Sequence, residues 1–311
     1  MPDTGTPIIV LAGPTASGKT DTGIALAQRI DAEIISADSR QVYRGLDIGT
    51  AKPTREQLLA VRHHGIDICT PDDTYTAGRF LQDAGRWADE IRSRGKRVLL
   101  VGGTGLYIRA FVDGLFEGPT ADPALRAQFE KRIREQGLGA LVEDLRALDP
   151  QAAADIDTKN PVRIIRALEV CMLTGQRYSV LRLVRRPGTV REAQHFGLRW
   201  ERSALHRRIG LRVEEMIEAG LVEEVQRLRE RGVDRSCTAM NAVGYPEILA
   251  YLEGLSPLAD SIDAIKAGTR QYARRQMTWF RKESRLRWVD VEEGMSAGDI
   301  AGRVLSMVEE S

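Results

Sequence analysis

The sequence predicts an α/β fold, a parallel-sheet core interrupted by an all-helical lobe. Three observations carry that reading. The first third alternates short Val/Ile/Leu runs with amphipathic segments, the pattern of buried parallel strands joined by crossover helices. A glycine-rich turn ending in Lys-Thr follows the first apolar run directly. Over residues 116–195 the strand-like runs stop and helical sequence takes over, before the core pattern resumes.

Taken in order, Ile8 to Leu11 reads as the first strand and Thr20 to Ile30 as the helix behind it. Glu33 to Ser36 and Arg97 to Val101 are apolar runs of strand length with Gly or Asp close behind, and Thr76 to Arg94 is the helix between them. Gly and Pro residues over 114–123 break the alternation, and 124–174 reads as helix throughout. Asn160-Pro161 has the form of an N-cap with proline at the first helical position, and Thr174-Gly175 that of a helix end. Strand-like sequence returns at Ala193 to Trp200. Amphipathic helices follow at 203–219, 221–232, 241–252 and 262–282, then a tail with weak helical periodicity. The expected division is a discontinuous core of 1–115 and 196–290, a helical insertion of 116–195 and a tail of 291–311. An insertion that leaves and rejoins a core often creates a cleft.

Composition narrows the function classes. At 42% hydrophobic and 29% charged the chain is a globular protein, not a disordered one. Lys plus Arg number 45 against 44 Asp plus Glu, so a wholly basic nucleic-acid coat is excluded, although a local basic patch is not. Cys69, Cys171 and Cys237 are odd in number and form no C-x-x-C, which argues against a disulfide framework or zinc ribbon and suits a reducing compartment. No run of about 18 apolar residues is present. Residues 1–7 lack the basic and apolar regions of a signal peptide. The expected location is the cytoplasm, without membrane contact, and the expected form a monomer.

Gly13-Pro14-Thr15-Ala16-Ser17-Gly18-Lys19-Thr20 matches G-x-x-x-x-G-K-[ST] between a strand and a helix, so the core is P-loop NTPase-like. Backbone N–H groups of Thr15 to Thr20 can surround a phosphate, with Gly13 and Gly18 permitting positive φ. Lys19 adds charge, and the Thr20 hydroxyl can coordinate Mg²⁺. The loop specifies a di- or triphosphate but not which molecule owns it.

Asp38 stands just past the second strand, at the edge where doubly wound sheets bind ligands. Three readings stay open for it: a metal ligand, a general base, or a cap for the next segment. Leu46 to Pro53 reads as a turn. Val101-Gly-Gly-Thr104-Gly-Leu-Tyr107 is a further small-residue element at a strand end.

Arg270 to Arg287 carries seven basic residues and one acidic one. At about 100° per residue, Arg270, Arg274, Arg281 and Arg285 fall within about 60° of one another, with Tyr272 and Trp279 opposite as core. A face without acidic partners suits a phosphate backbone. Arg177 to Arg191 adds five arginines and no intervening Asp. Arg163 with Arg166 and Arg208 with Arg212 form closely spaced pairs; the latter two can reach one anion or pair with a residue such as Glu215.

These segments together resemble the tRNA dimethylallyltransferases, also called tRNA isopentenyltransferases, of the bacterial type. The matching stretches are GPTASGKT at 13–20, DSRQVY at 38–43, IGTAKP at 48–53, GGTGLY at 102–107, RIIRALEV at 163–170, AVGYPE at 242–247 and TRQYARRQMTWFR at 269–281. The resemblance implies transfer of a five-carbon prenyl group from dimethylallyl diphosphate to N6 of adenosine 37 in the tRNA anticodon stem-loop. It implies that Lys19, Thr20 and Arg212 bind the diphosphate with Mg²⁺, that Asp38 is the base, and that Thr104 contacts the same nucleotide. Implied tRNA contacts are Asp38, Ser39, Arg40, Gln41, Thr104, Arg126, Arg163, Arg166, Arg270, Arg274, Arg275, Gln276 and Arg281. Pro246 occupies a position that is often basic in this family. Two other classes fit part of the pattern. A P-loop kinase of small metabolites leaves the basic helix without a task, and a nucleotide-driven RNA-binding switch leaves Asp38 and Thr104 unexplained.

Overall fold

In the computed structural model, which describes residues 7–116, 118–184 and 192–310, strand β1 (Ile8–Ala12) turns into helix α1 (Lys19–Arg29) and then β2 (Ala32–Ala37). Helix α2 (Arg55–Ala60), β3 (His63–His64), α3 (Ala77–Ser93), β4 (Arg97–Gly102) and α4 (Gly105–Asp113) follow. The helical segment holds α5 (Pro123–Gln136), α6 (Leu138–Leu148), α7 (Pro150–Asp155), α8 (Pro161–Thr174) and α9 (Tyr178–Leu181). Then come β5 (Ala193–Trp200), α10 (Arg202–Glu218), α11 (Leu221–Glu230), a 3₁₀ turn (Thr238–Asn241), α12 (Tyr245–Leu252), α13 (Leu258–Phe280), β6 (Leu286–Val291) and α14 (Ala297–Glu309).

The described strands form one sheet in the order β3-β2-β4-β1-β5-β6, and every pairing is parallel. The α/β class is as the apolar runs require. Because side chains alternate along a strand, β1 sends Ile8 and Val10 into one apolar layer and Ile9 and Leu11 into the other. Val98 and Leu100 against Leu99 and Val101 do the same on β4. Both faces of the sheet are therefore covered, which is why these strands read as continuous apolar runs.

The chain divides into two compact units, Met1–Asp113 with Arg191–Ser311, and Gly114–Val190. The second has its own core, built on Phe129, Leu141, Leu145, Ile164 and Leu168. Several boundaries differ from the sequence reading. Strand β5 begins at Ala193 and pairs with β1, so an insertion running to 195 is too long. The segment 291–311 is not a separate tail: α14 opens with a Ser296–Asp299 capping box and buries Ile300, Ala301 and Val304 in the layer that holds Leu26 and Ala27 of α1. Strands β3 and β6 went unforeseen. The basic helix ends at Phe280, so Arg285 does not share its face. No helix among the described residues is long and apolar enough to cross a membrane.

A candidate active site at the strand ends

Strand register assembles the site. Ala12 of β1 and Ala37 of β2 are both level with Gly102 of β4, so the segments that follow these three strands start side by side. Gly102 must be glycine, since a Cβ there would lie 2.2 Å from the Ala37 carbonyl oxygen.

The phosphate loop leaves β1 at Gly13. Gly18 has φ 81° and Ala16 φ 62°. Gly13 is required for space and not for positive φ, contrary to the sequence reading: a Cβ there would meet Ser17 Oγ at 2.7 Å. An alanine in the left-handed region costs about 1–2 kcal/mol, and the surroundings hold it there. Arg208 Nε donates to Ala16 O (2.9 Å), Trp200 Nε1 donates to Ser17 O (3.0 Å), and the Arg208 guanidinium lies 4.4 Å from the Trp200 ring centroid. Two of the amides expected to face a phosphate are used elsewhere. Ser17 N–H donates to Pro14 O (3.3 Å) and Thr15 N–H to Gln276 Oε1 (2.8 Å). The N–H groups of Ala16, Gly18, Lys19 and Thr20 have no protein acceptor among the described residues, and the last two open α1, where the helix dipole favours an anion.

These groups face a cavity of about 510 Å³ whose walls include Lys19, Thr20, Asp38, Arg40, Arg208 and Arg212. Burial brings Lys19 down to about 8, with Asp38 opposing the shift and Arg212 reinforcing it. Burial also lowers Arg212, against the pull of Asp21, Asp38 and Glu215. Two cations kept close in a partly dry cleft form a site for a multiply charged anion.

Asp38 Oδ1 accepts N–H bonds from Arg40 (2.9 Å) and Gln41 (3.4 Å), so the capping reading is realised as a turn. Its Oδ2 has no hydrogen-bond partner among the described residues, and the side chain lines the cavity. Thr104 stands behind it. Its Oγ1 accepts from Ser39 N–H (3.1 Å) and is 3.4 Å from Ser39 Oγ; Thr104 is not on the cavity wall. Arg40 lines the cavity and donates to Thr238 O (2.6 Å). Gln41 is buried, with its amide on Ser36, Thr50 and Ala51, so its side chain has little left to offer RNA.

The basic helix separates into two faces. Arg270, Arg274 and Arg281 make no ion pair among the described residues, and Arg274 and Arg281 are exposed. Arg275 is exposed as well and lies 5.8 Å from the Tyr272 ring centroid. Arg285, by contrast, forms a bidentate pair with Asp113 (2.6 and 2.9 Å) and bonds Glu283, which removes it from any RNA face. Gln276, expected on RNA, is buried: its Nε2 donates to Gly103 O (3.0 Å) while its Oε1 holds Thr15.

Within the helical unit, Arg126 and Arg166 are spent on Glu169. That carboxylate is fully buried and accepts from Arg126 (2.7 and 2.9 Å), Arg166 (2.6 Å) and Asp122 N–H (2.9 Å). Burial alone would raise its pKa; the hydrogen bonds outweigh that and bring it to about 2. Arg163 is exposed. Arg182 pairs with Asp155, and the arginines at 185, 186 and 191 lie outside the described residues.

Sequence reasoning missed Tyr272, taken for core. It lines the cavity beside Thr104, and its phenol is pushed up to about 12 by burial and then by Asp38. It also treated Gly49 and Thr50 as turn residues only, whereas they and Asn241 to Val243 form cavity wall. The 46–50 loop is held by buried Glu224, which accepts N–H bonds from Asp47, Ile48 and Gly49 and the Tyr245 hydroxyl. One of two adjacent glutamates in the first turn of α11, Glu224 carries no sequence signal for that role.

Two family sequence models match the chain, one described as IPP transferase over residues 41–283 and one as isopentenyl transferase over residues 6–70. A Geotalea uraniireducens protein called tRNA dimethylallyltransferase 2 is 44% identical over 93% of this chain and 94% of its own. Citrifermentans bemidjiense tRNA dimethylallyltransferase 1 is 47% identical over 91% and 92%. The crystal structure of the full-length tRNA isopentenylpyrophosphate transferase from Bacillus halodurans is similar at TM-score 0.70 and 40% identity, covering 98% of this chain and 97% of that one. A match of this length, on a fold and a strand-end site of this kind, means that the chain belongs to the IPP transferase family, alongside these tRNA dimethylallyltransferases.

Proposed function

We propose that this protein transfers a dimethylallyl group from dimethylallyl diphosphate to N6 of adenosine 37 in the anticodon stem-loop of tRNA. One observation carries the reading: a carboxylate with a free oxygen, Asp38, lines the same cavity as the Lys19 and Arg212 anion site. A base and a leaving-group site facing one space suit displacement at carbon. N6 attacks the first carbon of the allyl group as its bond to the diphosphate oxygen breaks. The N6 proton passes to Asp38, and the electron pair leaves with the diphosphate.

An exocyclic purine amine is a weak nucleophile, so proton removal by Asp38 is expected to contribute about 10²–10⁴-fold. Lys19, Arg212 and the amides of Ala16, Gly18, Lys19 and Thr20 would take up the charge that develops on the diphosphate. Adenosine 37 must leave the anticodon stack to enter the cavity. Among the described residues no group of three or more His, Cys, Asp or Glu is placed to hold a metal. The Thr20 hydroxyl on the cavity wall nevertheless fits Mg²⁺, which accepts few protein oxygens when phosphate oxygens complete its shell. Bound there, Mg²⁺ would neutralise leaving-group charge. Arg270, Arg274 and Arg281 would contact tRNA phosphates, a role supported by their lack of ion-pair partners among the described residues. The test is transfer of labelled prenyl from dimethylallyl diphosphate into unmodified tRNA, with the label mapped to its nucleotide. ATP turnover without label in RNA would point instead to the kinase reading.

A further inference from the structure

Helix α13 turns two faces to two tasks. Tyr272, Gln276 and Trp279, at i, i+4 and i+7, share the face away from the unpaired arginines. They meet three successive residues of the turn after β4. Gln276 bonds the Gly103 carbonyl, Tyr272 lies beside Thr104, and the Trp279 ring fills the space over Gly105, where a Cβ would come within 2.2 Å of it. Gln276 reaches further. It is only 6% exposed, and the same amide that donates to Gly103 O accepts the Thr15 N–H at the mouth of the phosphate loop. The two residues it joins stand at the ends of neighbouring strands, 88 positions apart in sequence.

We infer that Gln276 is a positioning residue: its single buried amide sets the phosphate loop in register with the turn that carries Thr104, and through Thr104 and Ser39 with Asp38. No residue closer in sequence ties the two segments in this way among the described hydrogen bonds. The chemistry requires such a tie. A base and a diphosphate cradle separated by a loose joint lose rate quickly, because reacting groups must be held to within about an ångström. The amide suits the task, since it carries donor and acceptor side by side in one fixed plane. A carboxylate would lack the donor and would repel the diphosphate. The fit is also close, as a Cβ on Gly103 would stand 2.2 Å from Gln276 Nε2. The inference rests on the proposed reading of the cavity as a diphosphate site.

The experiment compares wild type with Gln276→Met, which keeps length and volume and removes both bonds, and with Gly103→Ala, which crowds the amide from the other side. Dimethylallyl diphosphate affinity is measured by calorimetry, and kcat and the tRNA KM by label transfer. Both variants are expected to lose about tenfold or more in donor affinity and in kcat, with tRNA KM within about twofold of wild type. Equal donor affinity and kcat in both variants, with wild type binding the donor, would overturn the positioning role alone. A raised tRNA KM with donor binding intact would make Gln276 an RNA contact and overturn it too. Failure of wild type to bind the donor would bring down the cavity reading itself. Should Gln276→Met not fold, Gly103→Ala decides.

Discussion

Replacing Arg274 and Arg281 together with alanine isolates the RNA-facing side of α13. Both guanidinium groups are exposed and neither makes an ion pair among the described residues, so removal leaves no buried charge behind and costs the fold little. Each can neutralise at most one phosphate, which sets the magnitude. The slope of log affinity against log salt changes by about 0.7–0.9 per phosphate contact, hence by about 1.4–1.8 for the pair. Between about 50 and 200 mM salt, wild-type affinity should therefore fall about 7- to 12-fold more than that of the variant. Filter binding or anisotropy of labelled tRNA across a salt series reads this directly. Arg207→Ala serves as control, since Arg207 is engaged by Glu293 (2.7 Å) and its loss should leave the slope unchanged. Parallel lines for wild type and the double variant would refute the reasoning and return the helix to a merely solvated face.

Asp38→Asn keeps an oxygen to accept the Arg40 N–H, so the turn should survive while turnover in single-turnover assays drops about 10²-fold or more; loss of donor binding instead would make Asp38 a metal ligand. Lys19, held at about 8 by burial, must be protonated to hold the diphosphate. The ligand's own last phosphate proton, with a pKa near about 6, is largely gone by about pH 7. Donor affinity should then be flat up to about pH 7.5 and weaken by up to about tenfold per pH unit above about pH 8. In Lys19→Met the affinity should be lower and flat, and a flat wild-type titration would contradict the assignment. Glu169→Ala leaves the Asp122 N–H without its acceptor and frees two arginines that are themselves partly exposed, and should destabilise the helical unit by about 1–3 kcal/mol; proteolysis within residues 118–184 and denaturant unfolding would register it, and an unchanged midpoint would not fit.

The parts legible in the sequence were those written locally. Strands β1, β2 and β4 are covered on both faces and so are mostly apolar, and the phosphate loop is contiguous. Strand β3 has only His63 and His64 to show, too few for any periodicity. Strand β6 lay hidden because the arginines beyond Phe280 continue a helical spacing on paper, whereas Asp113 and Glu283 draw Arg285 into the turn before the strand. Gln276 was assigned to RNA from the family resemblance of the stretch at 269–281. Its true partners, Thr15 and Gly103, are adjacent only because β1 and β4 pair, and that pairing is a property of the sheet. Arg126 looked free for the same reason, since Glu169 meets it only once α5 packs against α8; Arg166 has the same acid three residues on in its own helix, a local pair that the sequence reading passed over.

In the proposed reaction one cavity joins a diphosphate cradle to a base acting on an RNA adenine. The most direct measurement incubates purified protein with labelled dimethylallyl diphosphate, Mg²⁺ and unmodified tRNA, then digests the RNA and identifies the labelled nucleoside. A single labelled product is expected, adenosine prenylated at N6 from the position beside the anticodon, formed by wild type and lost in Lys19→Met and Asp38→Asn. Label at another nucleotide, or none in RNA despite donor binding, would contradict it.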